Sequence, residues 1–353
     1  MQTKCPLHNN CKCFIVPNYI LENLAQNEVE AARISLEKSQ QVRKRRILKE
    51  YDINRVVDLT DAGTGTRGES ARHVYDCQGG TNLRVNEVRK EGDRSSRDNA
   101  VNHAYDYAGI VRDYFQNVFH RNSIDNNGLD IILNVHYGHN FQNAYWDGVE
   151  MVFGDGDGVV FTNFTNSLDV IGHELTHGIT QFTSGLEYEG QPGALNEHIS
   201  DVFGITIKQA YLKQTAQDAD WLIGADIMGP TLKGQALRSM KAPGTAFNNK
   251  LMGKDMQPDH MKNYYQGDLD HHGVHINSGI PNKVFYLVSM EIGTDKAALI
   301  WYHAIQNLFA TTNFNQFTQI IMKTTQKLVD SGEVPKTAVK TVESTFKSVG
   351  LPS

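Results

Sequence analysis

The chain has 353 residues, 34 Lys and Arg against 40 Asp and Glu, and a formal net charge of −6. Basic residues are dispersed except at positions 43–46, so no nucleic-acid surface is expected, and no apolar run approaches the ~20 residues of a membrane span. The length suits two domains plus an extension.

In chain order, the head MQTKCPLHNNCKCF lacks the apolar core of a Sec signal. Synthesis in the cytoplasm followed by secretion or release through another route is therefore expected. Cys5, Cys11 and Cys13 cluster there and Cys77 stands alone, a usage that argues against a disulfide scaffold. Residues 20–50 read as one charged helix ending in Arg43, Lys44, Arg45 and Arg46. The following DAGTGTRGES, 61–70, reads as an exposed linker where a protease would cut. From 76 to 165, short apolar runs such as IILNVHY and VEMVFG predict strands, with an embedded helix over 99–119. GDGDG, 154–158, lacks the loop length and terminal glutamate of an EF-hand; its Asp-Gly pairs between MVF and VVF read as a hairpin turn. After Ser184 the pattern is helical, with four stretches carrying apolar residues at three-to-four spacing and no internal repeat.

The densest chemistry lies in DVIGHELTHGITQF, 169–182. On a helix, His173 and His177 stand one above the other and can grip one metal ion, with Glu174 turned about a quarter of the way round. This H-E-x-x-H pattern binds zinc through its histidines and uses the glutamate as general base. A catalytic zinc with three protein ligands keeps one position open, so a third partner is needed. In GALNEHISD, Glu197 and Asp201 share a helical face: Glu197 reads as the third ligand, and Asp201 and Asn196 as acceptors for the outer N–H groups of the two histidines. His198 should point off that face, and it and His271 and His272 are read as solvated rather than as extra metal ligands.

With these motifs, the blocks NAYWDGVEMVFGDGDG, LRSM (237–240) and GVHINSGI (273–280) stand in an order and spacing that resemble the thermolysin-like zinc metallopeptidases. The likeness is to their protealysin-like group with a short prosegment, and it runs from about residue 76 to the C-terminus. The resemblance implies an α+β fold with a β-rich N-terminal domain, a helical C-terminal domain and the zinc helix at the floor of the cleft between them. A hinge closure over bound peptide comes with it. It implies a prosegment over 1–50 (boundary between 45 and 70) and catalytic domains over 51–185 and 186–353. It also implies one catalytic Zn(2+), with Glu174 passing a proton from the zinc-bound water to the leaving amine. Tyr188 and His275 would donate to the developing oxyanion, and Asp270 would orient His275. Asn143, Ala144 and Trp146 would pair with an extended peptide, and Arg238 would bond the carbonyl beyond the scissile bond. Phe161, Val170, Ile223 and Leu237 would wall an apolar pocket, giving cleavage before Leu, Phe, Ile or Val.

The chain departs from the family's double calcium site. Asp169 and Asp220 stand at two of its positions, but Lys208, Leu222 and Ala225 replace further carboxylates and Gln235 replaces an acid of another site. Lysine cannot ligate calcium, so an ion pair is expected in place of Ca(2+). CFIVPNYIL, 13–21, resembles the group's prosegment motif, with Asn18 where a second proline is usual. Blockage of the cleft by Phe14, Ile15, Val16, Pro17 and Tyr19 is the expected means of latency, and a head cysteine filling the open zinc position is the alternative. The expected protein is thus a self-processing zinc endopeptidase acting on proteins and peptides, with its own prosegment as inhibitor and a monomer as default. The competing reading is a non-catalytic zinc-binding relative acting as a binding protein; Glu174, Tyr188 and His275, which serve bond cleavage, argue against it.

Overall fold

The computed structural model describes residues 13–49 and 70–352. Cys5, Cys11 and most of the expected linker and cleavage region lie outside the described residues.

The first element corrects the sequence reading. One helix over 20–50 is in fact two, α1 (Asn18–Gln26) and α2 (Glu30–Lys49), packed on each other. The break comes where Glu28 takes a left-handed φ of 64°, which reverses the chain. The reversal has a packing cause. α1 buries Tyr19, Ile20, Leu21 and Leu24 against the body, whereas over residues 30–42 α2 buries only the small residues Ala31, Ala32, Ser35 and Ser39. Ser35 Oγ accepts from the Gln142 amide at 2.8 Å, fastening α2 beside the cleft.

The N-terminal half carries a five-stranded sheet of β1 (Arg72–Asp76), β2 (Asn86–Lys90), β3 (Ile131–Val135), β4 (Ala144–Trp146) and β5 (Met151–Phe153), in the order β2-β1-β3-β5-β4. β1, β3 and β5 are parallel, and β2 and β4 close the two sides antiparallel. Helix α3 (Asn99–Phe119) covers one face through Val101, Ala104, Tyr105, Ala108, Val111 and Phe115, the stripe its sequence spacing predicts. Asp98 caps it by accepting from the Ala100 amide. GDGDG does not form the expected hairpin: 154–157 is irregular, the chain bends over 158–160, and Phe161 bridges Met228 instead of pairing with β5. Asp155 within it bonds His136 and Asn163.

Two helices follow, α4 (Leu168–Thr183) and α5 (Gly190–Leu212). α5 is buried continuously from Gly193 to Gln209 and touches α4, α6 (Leu269–Asn277), α7 (Gly279–Ile292), α8 (Thr294–Ile305) and α9 (Phe314–Asp330). α10 (Ala338–Ser348) completes the helical half by packing on α7 and α9. Between α5 and α6, β6 (Leu222–Ile223) and β7 (Arg238–Ser239) form a short antiparallel ribbon. Among the described residues no helix is long and apolar enough to cross a membrane.

Candidate active site

The site is assembled where α4 and α5 cross, and glycine permits the crossing. A side chain at Gly204 would stand 2.6 Å from the Asp169 carbonyl oxygen and 3.3 Å from the His173 amide, so α5 can approach the ligand-bearing turn of α4 only without one. His173, His177 and Glu197 then converge. The two histidine Nε2 atoms are 2.9 Å apart, and each is 3.4 Å from an oxygen of Glu197. Ligands about 2.05 Å from a tetrahedral zinc would be separated by about 3.3 Å. All three side chains are fully buried, and Glu197 Oε2 and Glu174 Oε1 have no hydrogen-bond partner. A buried carboxylate facing two imidazoles with unmet hydrogen bonding fits a cation, and this donor set is one zinc accepts.

Burial opposes charge on both histidines, but Glu197 and Asp201 raise the His173 pKa, while burial and the charge of His173 push His177 down. Their outer nitrogens are held as the sequence predicts: His173 Nδ1 lies 2.8 Å from Asp201 Oδ1, and His177 Nδ1 2.8 Å from Asn196 Oδ1. Burial, reinforced by Glu197 against the opposing charge of His173, lifts the Glu174 carboxyl to about 8. A divalent cation alongside would favour its carboxylate form. Glu174 Oε2 accepts from the Trp146 amide at 2.9 Å. The Trp146 N–H therefore aims the glutamate.

Opposite the ligands, the Tyr188 hydroxyl donates to Glu197 Oε1 and lies 3.2 Å from His275 Nε2. Burial and Glu197 hold the tyrosine well above its ordinary pKa, so it remains a donor. Asp270 bonds His275 twice, at Nδ1 (2.6 Å) and at the amide (2.7 Å). Burial works against charge on His275, but Asp270 and Glu197 outweigh it and raise its pKa. The local backbone is unusual: Asp270, His271, His272 and Gly273 all have left-handed φ, between 51° and 82°. This four-residue turn brings Asp270 back onto the helix that carries His275. His272 is solvated as expected, facing Glu189 and Asp268, whereas His271 is half-buried edge-on to Tyr188.

The cleft holds the chain's own head. Phe14 bridges Tyr145 on the β4 edge, and the Ile15 amide donates to the Ala144 carbonyl at 3.2 Å. Asn143 takes Val16 with both halves of its amide, each at 3.0 Å. Arg238 Nη1 donates to the Ile15 carbonyl at 3.2 Å, and His275 Nε2 lies 3.0 Å from the Phe14 carbonyl oxygen. Ile15 is fully buried in one apolar cluster with Phe161, Val170, Ile223 and Leu237. Pro17 caps α1, whose Tyr19 is buried.

Three features escape the sequence reading. Asp201 also receives a bidentate pair from Arg238, both contacts at 2.8 Å, so one carboxylate orients a presumptive ligand and the peptide-binding guanidinium. His198 does leave the ligand face but is completely buried, not solvated: Trp301 Nε1 donates to its Nε2 at 2.7 Å, and its Nδ1 meets Asn282 Oδ1 at 2.7 Å. The Asn282 amide then donates to Asp201 at 2.9 Å. Because indole only donates, this relay fixes the His198 tautomer. Finally, Cys13 is disulfide-bonded, to a residue outside those described, although a single link is not a scaffold; Cys77 is free and buried.

Away from the cleft, Lys208 forms the expected ion pair. Its ammonium, buried on α5, lies 2.9 Å from Asp169, 3.9 Å from Asp220 and 3.4 Å from Asp226, the last an acid not foreseen. Gln235 accepts from the Asn249 amide at 2.7 Å.

Comparison with known proteins agrees with this arrangement. Residues 35–181 match the family model described as thermolysin metallopeptidase, catalytic domain, and 184–351 match the thermolysin metallopeptidase, alpha-helical domain. The chain is 40% identical to "Protease PrtS" of Photorhabdus sp. (strain Az29), covering 98% of this chain and 94% of that one. It is 43% identical to an "Extracellular metalloprotease" of Pectobacterium carotovorum subsp. carotovorum, covering 83% and 84%. Among solved structures it is similar to the "Precursor of Protealysin, Metalloproteinase from Serratia proteamaculans", with a TM-score of 0.84 and 40% identity over 96% of this chain and 99% of that one. By sequence and by fold, the chain belongs to the thermolysin-like (M4) family of zinc metallopeptidases, in its protealysin-like group.

Proposed function

We propose that this chain is a latent zinc endopeptidase that cuts proteins and peptides before bulky apolar residues, held inactive by its own N-terminal segment and released by self-processing. The observation that carries the reading is the register of residues 14–16, which satisfy Ala144, Asn143, Arg238 and His275 in the manner of an extended substrate. In that register Ile15 takes the place of the residue on the amine side of a cut, and it is buried in the same core as Phe161, Val170, Ile223 and Leu237.

The chemistry follows from the donors. Zinc would be held by His173, His177 and Glu197 and would supply Lewis-acid polarisation of the carbonyl and a lowered pKa of the attacking water. Glu174, aimed by the Trp146 amide, takes the proton of the attacking water and hands it to the departing amine. Tyr188 and His275 donate to the carbonyl oxygen as charge builds there, each worth about 3 kcal/mol in comparable sites. Asp270 keeps His275 oriented. Arg238 and Asn143 hold the backbone beyond the cut, and β4 accepts the substrate as an added strand.

We assign the prosegment to residues 1–50, with its end between 45 and 70, and the catalytic domains to 51–185 and 186–353. The protein needs no calcium at the Asp169–Lys208–Asp220 cluster and works as a monomer. Secretion is supported by the name of the Pectobacterium relative. The test is intact mass of the purified chain against its Glu174→Gln variant, with and without a zinc chelator. Loss of an N-terminal piece in the parent alone, blocked by chelator, is expected. Full-length parent after prolonged incubation with zinc refutes self-processing, and a retest after removal of the head by an added protease decides peptidase activity.

A further inference from the structure

Cys13 immediately precedes the residues that fill the cleft. Its side chain is fully buried with Tyr188 and Val274, and its sulfur forms with His177 and Glu197 a group whose ligand atoms all lie within 4.8 Å of one another. The space these atoms face has unmet demand for a cation, since Glu197 Oε2 and Glu174 Oε1 are buried without hydrogen-bond partners. Zinc binds thiolate at about 2.3 Å and readily takes sulfur as a fourth ligand beside nitrogen and oxygen.

We propose that in the reduced precursor the Cys13 thiolate is the fourth ligand of the catalytic metal, occupying the position that water needs for hydrolysis. The proposal rests on the zinc reading above. It also accounts for a difficulty in that reading. With the Phe14 carbonyl on His275 and the Ile15 carbonyl on Arg238, the Phe14–Ile15 bond is presented as a substrate bond, so occupancy of the cleft alone does not explain why it survives. A sulfur one residue upstream, bound to the metal, withholds the nucleophile from that bond.

The ligand is conditional on redox state. In the structure Cys13 is disulfide-bonded, and a disulfide sulfur has no thiolate to offer. A dithiol reductant delivers two electrons and two protons to that bond, leaving Cys13 and its partner as thiols and the reductant as a cyclic disulfide. The Cys13 proton then passes to solvent as sulfur binds the metal.

The test is zinc-edge X-ray absorption on the zinc-loaded full chain carrying Glu174→Gln, which prevents cutting. After reduction with dithiothreitol, one sulfur at about 2.3 Å is expected, lost on reoxidation and absent from the Glu174→Gln/Cys13→Ala double variant. In the Glu174-containing chain, Cys13→Ala should yield a new N-terminus at Ile15 that the reduced parent lacks. Zinc bound by nitrogen and oxygen alone after reduction overturns the proposal, as does a sulfur that survives Cys13→Ala. If the double variant does not fold, the reduced and oxidised single variant still decide. Stoichiometric zinc without sulfur sinks only the role of Cys13, whereas a chain that binds no zinc before or after processing sinks the zinc reading as well.

Discussion

Ile15→Ala is the most direct probe of latency. The side chain is fully buried in the main hydrophobic core, which also holds the proposed pocket walls, and truncating a buried Ile costs about 2–5 kcal/mol. Helix α1 (Asn18–Gln26) follows closely and can settle partly into the space left, so the lower part of that range, about 2–3 kcal/mol, applies. All of this loss falls on the closed state, because Ile15 is solvated once the segment leaves. At ~1.4 kcal/mol per decade, the open fraction of the precursor rises about 30- to 150-fold. The assay is binding of a fluorescent, cleft-directed peptide inhibitor to the intact chain in a Glu174→Gln background. Apparent affinity scales with the fraction competent to bind, so the apparent Kd should fall by the same factor. An apparent Kd within about threefold of the parent, with unchanged thermal stability, would refute the placement of Ile15 as the occupant of the pocket.

Other perturbations separate the remaining parts. Glu174→Gln should lower kcat of the processed enzyme by about 10²–10⁴ while zinc content, measured by atomic absorption, stays at one per chain. His136 lies between Asp155 at 2.9 Å and Asp98 at 2.8 Å, and these partners, against the cost of burial, raise its pKa to about 9. The sign follows: the stabilisation is complete below the ordinary value near 6.5 and is lost as pH rises through about 9. With solvent-screened partners it amounts to about 1–2 kcal/mol, so denaturant unfolding between pH 6 and 10 should decline more in the parent than in His136→Gln. Lys208→Ala leaves buried Asp169 without its cation, costing about 3 kcal/mol. Added calcium should raise the Tm of that variant and leave the parent's unmoved.

What could be read in advance was local. The spacing of His173, Glu174 and His177 on one helix, and of Glu197 and Asp201 on the next, follows from helical geometry alone, so the acceptors for both histidines were legible too. Pairings distant in sequence were not. Nothing in LRSM indicates that Arg238 meets Asp201, 37 residues away, because that contact depends on the β6–β7 ribbon lying against α5. His198 was misread for the same reason: its partners, Trp301 and Asn282, arrive from α8 and α7. The break between α1 and α2 and the left-handed run at 270–272 rest on non-glycine residues at positive φ, which propensity disfavours and packing over-rides. The expected hairpin at GDGDG failed because Asp-Gly pairs promote a turn without specifying what the following strand pairs with.

Latency and catalysis draw on the same polar groups. β4 is an edge strand, and an unpaired edge is a site for any extended chain to add. In the precursor the head takes that edge, so Ala144 and Asn143 are satisfied before any substrate arrives. Arg238 extends the coupling inward, since the guanidinium that holds the Ile15 carbonyl also braces Asp201, and Asp201 orients His173. Asp201 is braced in turn by Asn282, His198 and Trp301, all completely buried and none in contact with peptide. On the proposed function, substrate grip and ligand orientation therefore share one carboxylate. A change anywhere along that relay reaches the metal centre through Asp201, and through Arg238 it reaches whatever peptide occupies the cleft, whether substrate or the protein's own head.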